Sequence, residues 1–302
     1  MKRILVTGSN GLLGQKLTDA LIIDPEMDLI ATSIGPDRYP GSGNYIYSEL
    51  DVCDAGNVKE VLEKFRPDVI LHTAAMTNVD ICENEKEKCW TLNVEAVKNL
   101  IRTCELLDIH LIYLSTDFVF DGESGPYTEE DEPHPLSYYG QTKLEAEKLV
   151  QAAKCSSTVL RTIIVYGIVN DMSRSNIVLW AKSALEKGDP INAVNDQWRM
   201  PTLAEDLADC CILAAKQKAT GIFNASGKDM MSIIELVEQV AEHWHLNKSL
   251  INPISSDSLN QAAKRPKRTG FVLTKSIQEL GYNPHSFKEG LEIVENQLQK
   301  RV

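Results

Sequence analysis

The chain has 302 residues, 43% hydrophobic and 25% charged, with a formal net charge of -12 at pH 7. These proportions are ordinary for a globular protein, and the acidic balance argues against a nucleic-acid partner, which calls for a basic patch. They leave room for a phosphorylated small substrate, because a local pocket can be positive on an acidic protein.

Seven cysteines, at 53, 82, 89, 104, 155, 210 and 211, show no C-x-x-C spacing. An odd, scattered set predicts free thiols in a reducing compartment rather than a disulfide framework. The first residues run straight into a strand-like segment without the apolar region of a signal peptide. No apolar stretch reaches the roughly 18 residues needed to span a bilayer. The expectation is a cytoplasmic protein with no membrane partner.

Residues 4–7 read as a short apolar strand, followed by a glycine-rich turn and a helix over 12–23. A second strand spans 29–33. Asp54 caps a helix that runs to Phe65, where Pro67 stops it. A third strand at 69–73, a helix at 92–107, a fourth strand at 110–114, a helix at 137–153 and a strand at 158–165 follow. This alternation predicts a Rossmann-type, doubly wound parallel α/β sheet, which binds ligands beyond the carboxyl ends of its strands. After Gly167 the rhythm loosens. Helices are expected at 172–188, 203–216 and 232–243, the last with a capping box from Ser232 and Glu235. A short strand is expected at 221–225, and a polar, proline-punctuated loop over 252–269. The organisation read from this is a dinucleotide-binding domain over 1–166, to which 203–225 returns. A smaller C-terminal substrate lobe then occupies most of 167–302.

Thr7-Gly8-Ser9-Asn10-Gly11-Leu12-Leu13-Gly14 places three glycines between a strand and a helix. Gly8 permits the tight turn, Gly11 lets backbone approach a pyrophosphate, and Gly14 lets the helix pack on the sheet. The helix N-terminus then offers free N–H groups and a partial positive charge to phosphates. At the end of the second strand, where a carboxylate would bind a ribose 2′-hydroxyl, the chain has Thr32-Ser33-Ile34-Gly35-Pro36-Asp37-Arg38. Ser33 and Arg38 favour NADP; NAD remains the alternative if Asp37 occupies the site.

Tyr139 and Lys143 lie four apart and share one helix face. A carbonyl reduction needs a proton opposite the incoming hydride, and tyrosine can give one. An ammonium at ~4 Å with an effective dielectric of ~20 attracts a phenolate by about 4 kcal/mol. That attraction predicts a phenol drawn toward neutral pH, where acid–base catalysis is most efficient. Thr116 follows a strand, where its hydroxyl can align the substrate carbonyl with Tyr139.

These residues resemble the extended short-chain dehydrogenase/reductases, and within them the dTDP-4-dehydrorhamnose reductases. The similarity runs through Thr7 to Gly14, Ala74-Ala75-Met76-Thr77-Asn78-Val79-Asp80 and Ser115-Thr116-Asp117-Phe118-Val119-Phe120-Asp121-Gly122. It continues through Tyr139 to Leu144, Arg161-Thr162, Val165-Tyr166-Gly167 and Lys264-Arg265-Pro266. The resemblance implies that Thr116, Tyr139 and Lys143 are catalytic, with Lys143 also holding the nicotinamide ribose. It places Asp51 and Val52 beside the adenine, Ala74, Ala75 and Met76 along the cofactor, and Asn93 near the active site. Thr77, Val79 and Asn176 would face the sugar. The implied reaction is NADPH-dependent reduction of dTDP-4-dehydro-L-rhamnose to dTDP-L-rhamnose.

Ile164 stands where these reductases commonly carry a tryptophan, and Trp198 and Arg199 stand where small residues are common. Arg199 can pair with a substrate diphosphate, or serve as a surface charge. Two other readings stay open. One is an NAD-dependent nucleotide-sugar epimerase. The other is a non-catalytic subunit resembling the regulatory β subunit of methionine adenosyltransferase. A dehydratase is disfavoured, since Asp117 is followed by Phe118 rather than glutamate. No metal site is expected; His243 and His245 fall on different helix faces. A homodimer is the default for a soluble enzyme.

Overall fold

The structure is a computed structural model that describes residues 1–169 and 176–300. Strands β1 (Lys2–Thr7), β2 (Met27–Ser33), β3 (Ile46–Glu49), β4 (Val69–His72), β5 (His110–Thr116) and β6 (Ser157–Thr162) alternate with helices. The helices are α1 (Leu12–Leu21), α2 (Ala55–Phe65), α3 (Val79–Asn84), α4 (Lys86–Trp90), α5 (Ala96–Leu107) and α6 (Tyr138–Ala152). The C-terminal part contains β7 (Val165–Tyr166), α7 (Ile177–Glu186), β8 (Ile191–Val194), β9 (Trp198–Arg199), β10 (Thr202–Leu203), α8 (Ala204–Gln217) and β11 (Gly221–Asn224). It closes with β12 (Met231–Ser232), α9 (Ile233–His243), β13 (Ile251–Ile254) and α10 (Phe287–Gln299).

Seven strands form one parallel sheet in the order β11-β6-β5-β4-β1-β2-β3. The reversal of direction beside β1 opens the crevice in which such sheets bind ligands. Alternation along each strand fills both faces. Ile4 and Val6 of β1 enter a core with Leu17 and Leu21 of α1 and Leu207 of α8. Leu5, between them, enters a second core with Val58 and Leu62 of α2 and Val97 and Leu100 of α5. The sheet is thus apolar on both sides, as buried parallel strands require.

Local signals set the helix ends. The Asp54 carboxylate accepts from the backbone N–H of Gly56 and Asn57 and starts α2. Ser137 caps α6 by accepting from the Gly140 N–H. Ser232 and Glu235 form the anticipated capping box of α9, and Ser286 and Glu289 form another on α10. A third core joins α7, α9 and α10 through Val178, Leu236, Val240 and Leu291. Around it β8 pairs with β13, and β9 with β12. The segment 204–224 crosses back: α8 packs on α1, and β11 extends the main sheet beside β6.

Several expectations need correction. The strand expected over 158–165 is two strands, because Ile164 has φ +31 and breaks the extended run. The loop expected over 252–269 opens inside β13, which hydrogen-bonds to β8 in parallel. The helix expected at 92–107 is a π-helical turn, Thr91–Glu95, leading into α5. Of the helix expected at 172–188, residues 172–175 lie outside the described residues, and the remainder forms α7. Neither β3 nor α10 was anticipated.

One buried ion pair ties the sheet to its covering helix. Arg161 of β6 donates from Nε and Nη2 to the Glu147 carboxylate of α6, at 3.0 and 2.7 Å. Both side chains are buried, and the guanidinium lies 5.1 Å from the Phe120 ring centre. Removing one partner strands a charge. Arg161→Leu is expected to cost about 3–5 kcal/mol in urea unfolding, with most of it regained on adding Glu147→Leu. A loss within experimental error from the single variant would contradict this.

Candidate active site

A cavity of about 890 Å³ opens at the carboxyl ends of the sheet strands and extends under the C-terminal lobe. The glycine-rich turn forms its floor. Gly8 has φ +68, where an L side chain is strained. A Cβ on Gly14 would lie 2.3 Å from the Gly8 carbonyl oxygen, so only glycine lets α1 sit this close. Helix α1 starts at Gly11 with no side-chain cap, leaving its first N–H groups facing the cavity for an anion. Asn10 fastens the neighbouring loop by accepting from the Arg38 N–H and donating to the Pro36 carbonyl. Ser33 and Arg38 line the cavity. Asp37 does not; its carboxylate accepts from the Tyr45 hydroxyl and the Tyr39 N–H. The turn, the uncapped helix and a β2 end that puts Ser33 and Arg38, not Asp37, on the wall fit a phosphorylated dinucleotide. The buried His72 Nε2 and Ser115 Oγ, both on cavity-lining residues, have no hydrogen-bond partner among the described residues.

Thr116, Tyr139 and Lys143 come together on this wall. Strand β5 ends at Thr116, and α6 carries Tyr139 and Lys143 one turn apart. Tyr139 stacks edge-on against Phe118 at 5.7 Å. Lys143 Nζ donates to the Leu114 carbonyl at 2.7 Å and lies 4.2 Å from the Tyr113 ring centre. Burial pushes the Tyr139 phenol well up, opposed by its hydrogen bond with Thr116. Burial also pushes the Lys143 ammonium down to about 7, opposed by Glu147. The expected drawing of the phenol toward neutral pH by Lys143 is therefore absent. Desolvation outweighs the pairwise attraction, because the same burial penalises both charged forms. Tyr139 accordingly keeps its proton at neutral pH, which is the state a proton donor needs.

Below Thr116 lies a second buried pair. The Thr116 hydroxyl donates to Asp117 Oδ1 at 3.1 Å, and the Thr269 hydroxyl donates to Oδ2. Arg199 Nε stands 3.6 Å from that carboxylate, and both side chains are 2% exposed. The guanidinium also donates to the carbonyls of Trp198, Pro266 and Lys267. Arg199 is therefore not a surface charge. It lines the cavity, but its donors are committed to protein acceptors, which argues against a free diphosphate clamp.

Thr77, Val79 and Asn176 line the lobe side of the cavity. Asn176 also caps α7 and donates to the Gly167 carbonyl at 2.6 Å. Gly8, Asn10, Gly11, Leu12, Gly14, Val52, Ala74 and Ala75 are on the wall as well. Ser9, Asp51, Met76 and Asn93 are not. Ser9 is turned into the protein, and Asp51 accepts from the Cys53 N–H of its own turn. Asn93 is buried, and its amide brackets Met76 by accepting from its N–H and donating to its carbonyl. Both therefore support the wall from behind.

The residue reading missed Trp180, Asn192, Gln261 and Arg265 on the lobe wall. Arg265 is held by Asp80 at 2.6 Å. Its K-R-P context was visible; the others lie in segments whose placement depends on tertiary packing. Ile164 also lines the cavity, and its φ of +31 is rare for a β-branched residue. Hydrogen bonds from Thr202 to the Ile163 and Ile164 carbonyls hold it there.

The model of the family described as RmlD substrate binding domain matches residues 1–300. The chain belongs to this family. The dTDP-4-dehydrorhamnose reductase of Aggregatibacter actinomycetemcomitans is 30% identical over 304 residues, covering 97% of this chain and 98% of its own. Methionine adenosyltransferase 2 subunit beta of Bos taurus is 32% identical over 297 residues, covering 96% and 86%. The solved dTDP-4-dehydrorhamnose reductase of Bacillus anthracis in complex with NADP is similar at a TM-score of 0.84 and 26% identity, covering 98% and 100%. These matches span the sheet and the lobe together. Among the described residues, no helix is long and apolar enough to cross a membrane, and no cluster of three metal-ligating side chains occurs.

The burial of Lys143 makes a pH prediction. Between about 7 and the ordinary 10.5, the unfolded chain holds this proton and the folded chain does not. Stability therefore rises with pH across that window. Urea unfolding near neutral and near pH 9 is expected to show this gain in the wild type and a smaller one in Lys143→Met. Equal pH slopes for the two proteins would contradict a buried, destabilised ammonium.

Proposed function

We propose that this chain is an NAD(P)H-dependent oxidoreductase that reduces the 4-keto group of a nucleotide-activated 6-deoxy sugar. Its substrate on this reading is dTDP-4-dehydro-L-rhamnose, its product dTDP-L-rhamnose, and NADPH its preferred cofactor. One observation carries the reading: Thr116, Tyr139 and Lys143 share a single cavity with the glycine-rich turn and the lobe residues.

The turn at Gly8 to Gly14 and the N-terminus of α1 hold the cofactor phosphates. Arg38 suits a 2′-phosphate, and Asp37 is engaged away from it. A bound nicotinamide supplies the hydride. Tyr139 donates its phenolic proton to the carbonyl oxygen as that oxygen gains charge. Thr116 borders the same space as Tyr139, so its hydroxyl can align the carbonyl for it. Lys143 holds the nicotinamide ribose, and its protonated form compensates the phenolate left on Tyr139. Asp117 is unsuited to the acid–base work of a dehydratase, because Arg199, Thr116 and Thr269 occupy its carboxylate.

The similarity to methionine adenosyltransferase 2 subunit beta favours a second reading, a non-catalytic subunit that binds the cofactor in the same cavity. NADPH oxidation with dTDP-4-dehydro-L-rhamnose separates the two. Wild-type turnover is expected, with Tyr139→Phe reduced by about 10²–10⁴-fold while NADPH still binds. NADPH binding without turnover on this or related keto sugars would favour the subunit. Full turnover by Tyr139→Phe would remove the proton-donor role.

A further inference from the structure

Two cysteines lie directly behind the cavity wall, and the proposed mechanism uses neither. Cys82 of α3 and Cys89 of α4 are both wholly buried, and their sulfurs stand 2.7 Å apart. They form a small cluster with Tyr139, against which Val79 and Phe118 pack. A disulfide bond measures about 2.05 Å, so roughly 0.7 Å of sulfur movement separates this pair from a bond. The surroundings are polar for a buried thiol. Asn93 Nδ2 donates to Cys89 Sγ at 3.3 Å, and Thr142 Oγ1 lies 3.6 Å from it. Cys82 reaches the Met76 carbonyl at 3.8 Å.

We propose that Cys82 and Cys89 are an oxidisable dithiol whose disulfide weakens cofactor binding by disturbing the adjoining cavity wall. The mechanical link is Met76. Its neighbours Ala75 and Thr77 line the cavity. Its backbone is held by Asn93, the residue that also donates to Cys89. A disulfide has no S–H, so Cys82 can no longer donate to the Met76 carbonyl. Drawing the sulfurs together also shifts α3, whose first residue, Val79, lines the cavity.

The two thiols are not equivalent. The contact with Cys82, the hydrogen bond donated by the Asn93 amide and the charge of Lys143 hold Cys89 below the ordinary thiol range, against the effect of burial. The same Cys89 contact, with burial, pushes Cys82 up. Cys89 is therefore the nucleophile, since the thiolate is the reactive form. Its oxidant is hydrogen peroxide. The Cys89 thiolate attacks one peroxide oxygen, breaking the O–O bond to give a sulfenic acid and, after protonation, one water. The Cys82 sulfur then attacks the Cys89 sulfur, losing its proton and expelling the second water. The dithiol thus gives two electrons and two protons to one peroxide, yielding one disulfide and two waters.

The dependence of cofactor affinity on this bond rests on the proposed dinucleotide site; formation of the bond does not. The test exposes the purified chain to hydrogen peroxide, blocks residual thiols and maps a non-reduced tryptic digest. Trypsin cuts at Lys86 and Lys88, so the bond would join two peptides. The expected result is a Cys82–Cys89 link with NADPH affinity lowered about fivefold or more, restored by dithiothreitol. In Cys82→Ser, peroxide is expected to leave a sulfenic acid at Cys89 that dimedone traps. If Cys82 and Cys89 stay as thiols, or pair with other cysteines, the site does not exist. If the bond forms and NADPH affinity is unchanged, the link to the wall is wrong. If the reduced protein binds no NADPH, the cofactor reading and its link to the bond both fail, while the peptide map still decides the bond.

Discussion

The approach of α1 to the turn after β1 is the constraint on which the rest of the site depends. Gly14 has no room for a Cβ beside the Gly8 carbonyl, and Gly8 itself occupies left-handed backbone space. Together they bring an uncapped helix N-terminus to the carboxyl edge of the sheet. Everything else in the cavity is arranged around that edge. The β2 end contributes Ser33 and Arg38, the β5 end contributes Thr116, and α6 brings Tyr139 and Lys143 across from the other side.

Burial, more than pairwise attraction, sets the chemistry on this wall. Tyr139, Lys143 and Asp117 are all shifted away from their charged forms by desolvation first. A neutral phenol beside a weakly held ammonium suits proton donation to a carbonyl. Two buried arginines each face a carboxyl group: Arg161 that of Glu147, and Arg199 that of Asp117. The second pair also joins the end of β5 to the 266–269 segment, so that strand and the lobe share one buried network.

Features encoded in short, contiguous stretches were legible in the sequence. The glycine turn, the Asp54 cap, the Ser232 capping box and the i, i+4 pair of Tyr139 and Lys143 each rest on local spacing. Features that depend on long-range packing were not. Arg199 reads as a phosphate ligand or a surface charge until the fold places it against Asp117. Asn93 reads only as a residue near the active site, and the fold alone shows its amide bracketing Met76. β13 hides in a polar stretch because only its pairing with β8 makes it a strand. The phenol's environment was misjudged for the same reason, since a pairwise Coulomb argument contains no burial.

The measurement that tests the account most directly is hydride transfer itself. NADPH carrying deuterium at the reactive nicotinamide carbon would be incubated with the chain and dTDP-4-dehydro-L-rhamnose, and the sugar examined by NMR. The account predicts deuterium at sugar C4, in one configuration, matched by oxidised cofactor. Bound NADPH with no deuterium reaching that sugar or related nucleotide-linked keto sugars would contradict it, leaving a cavity that holds the cofactor without using it.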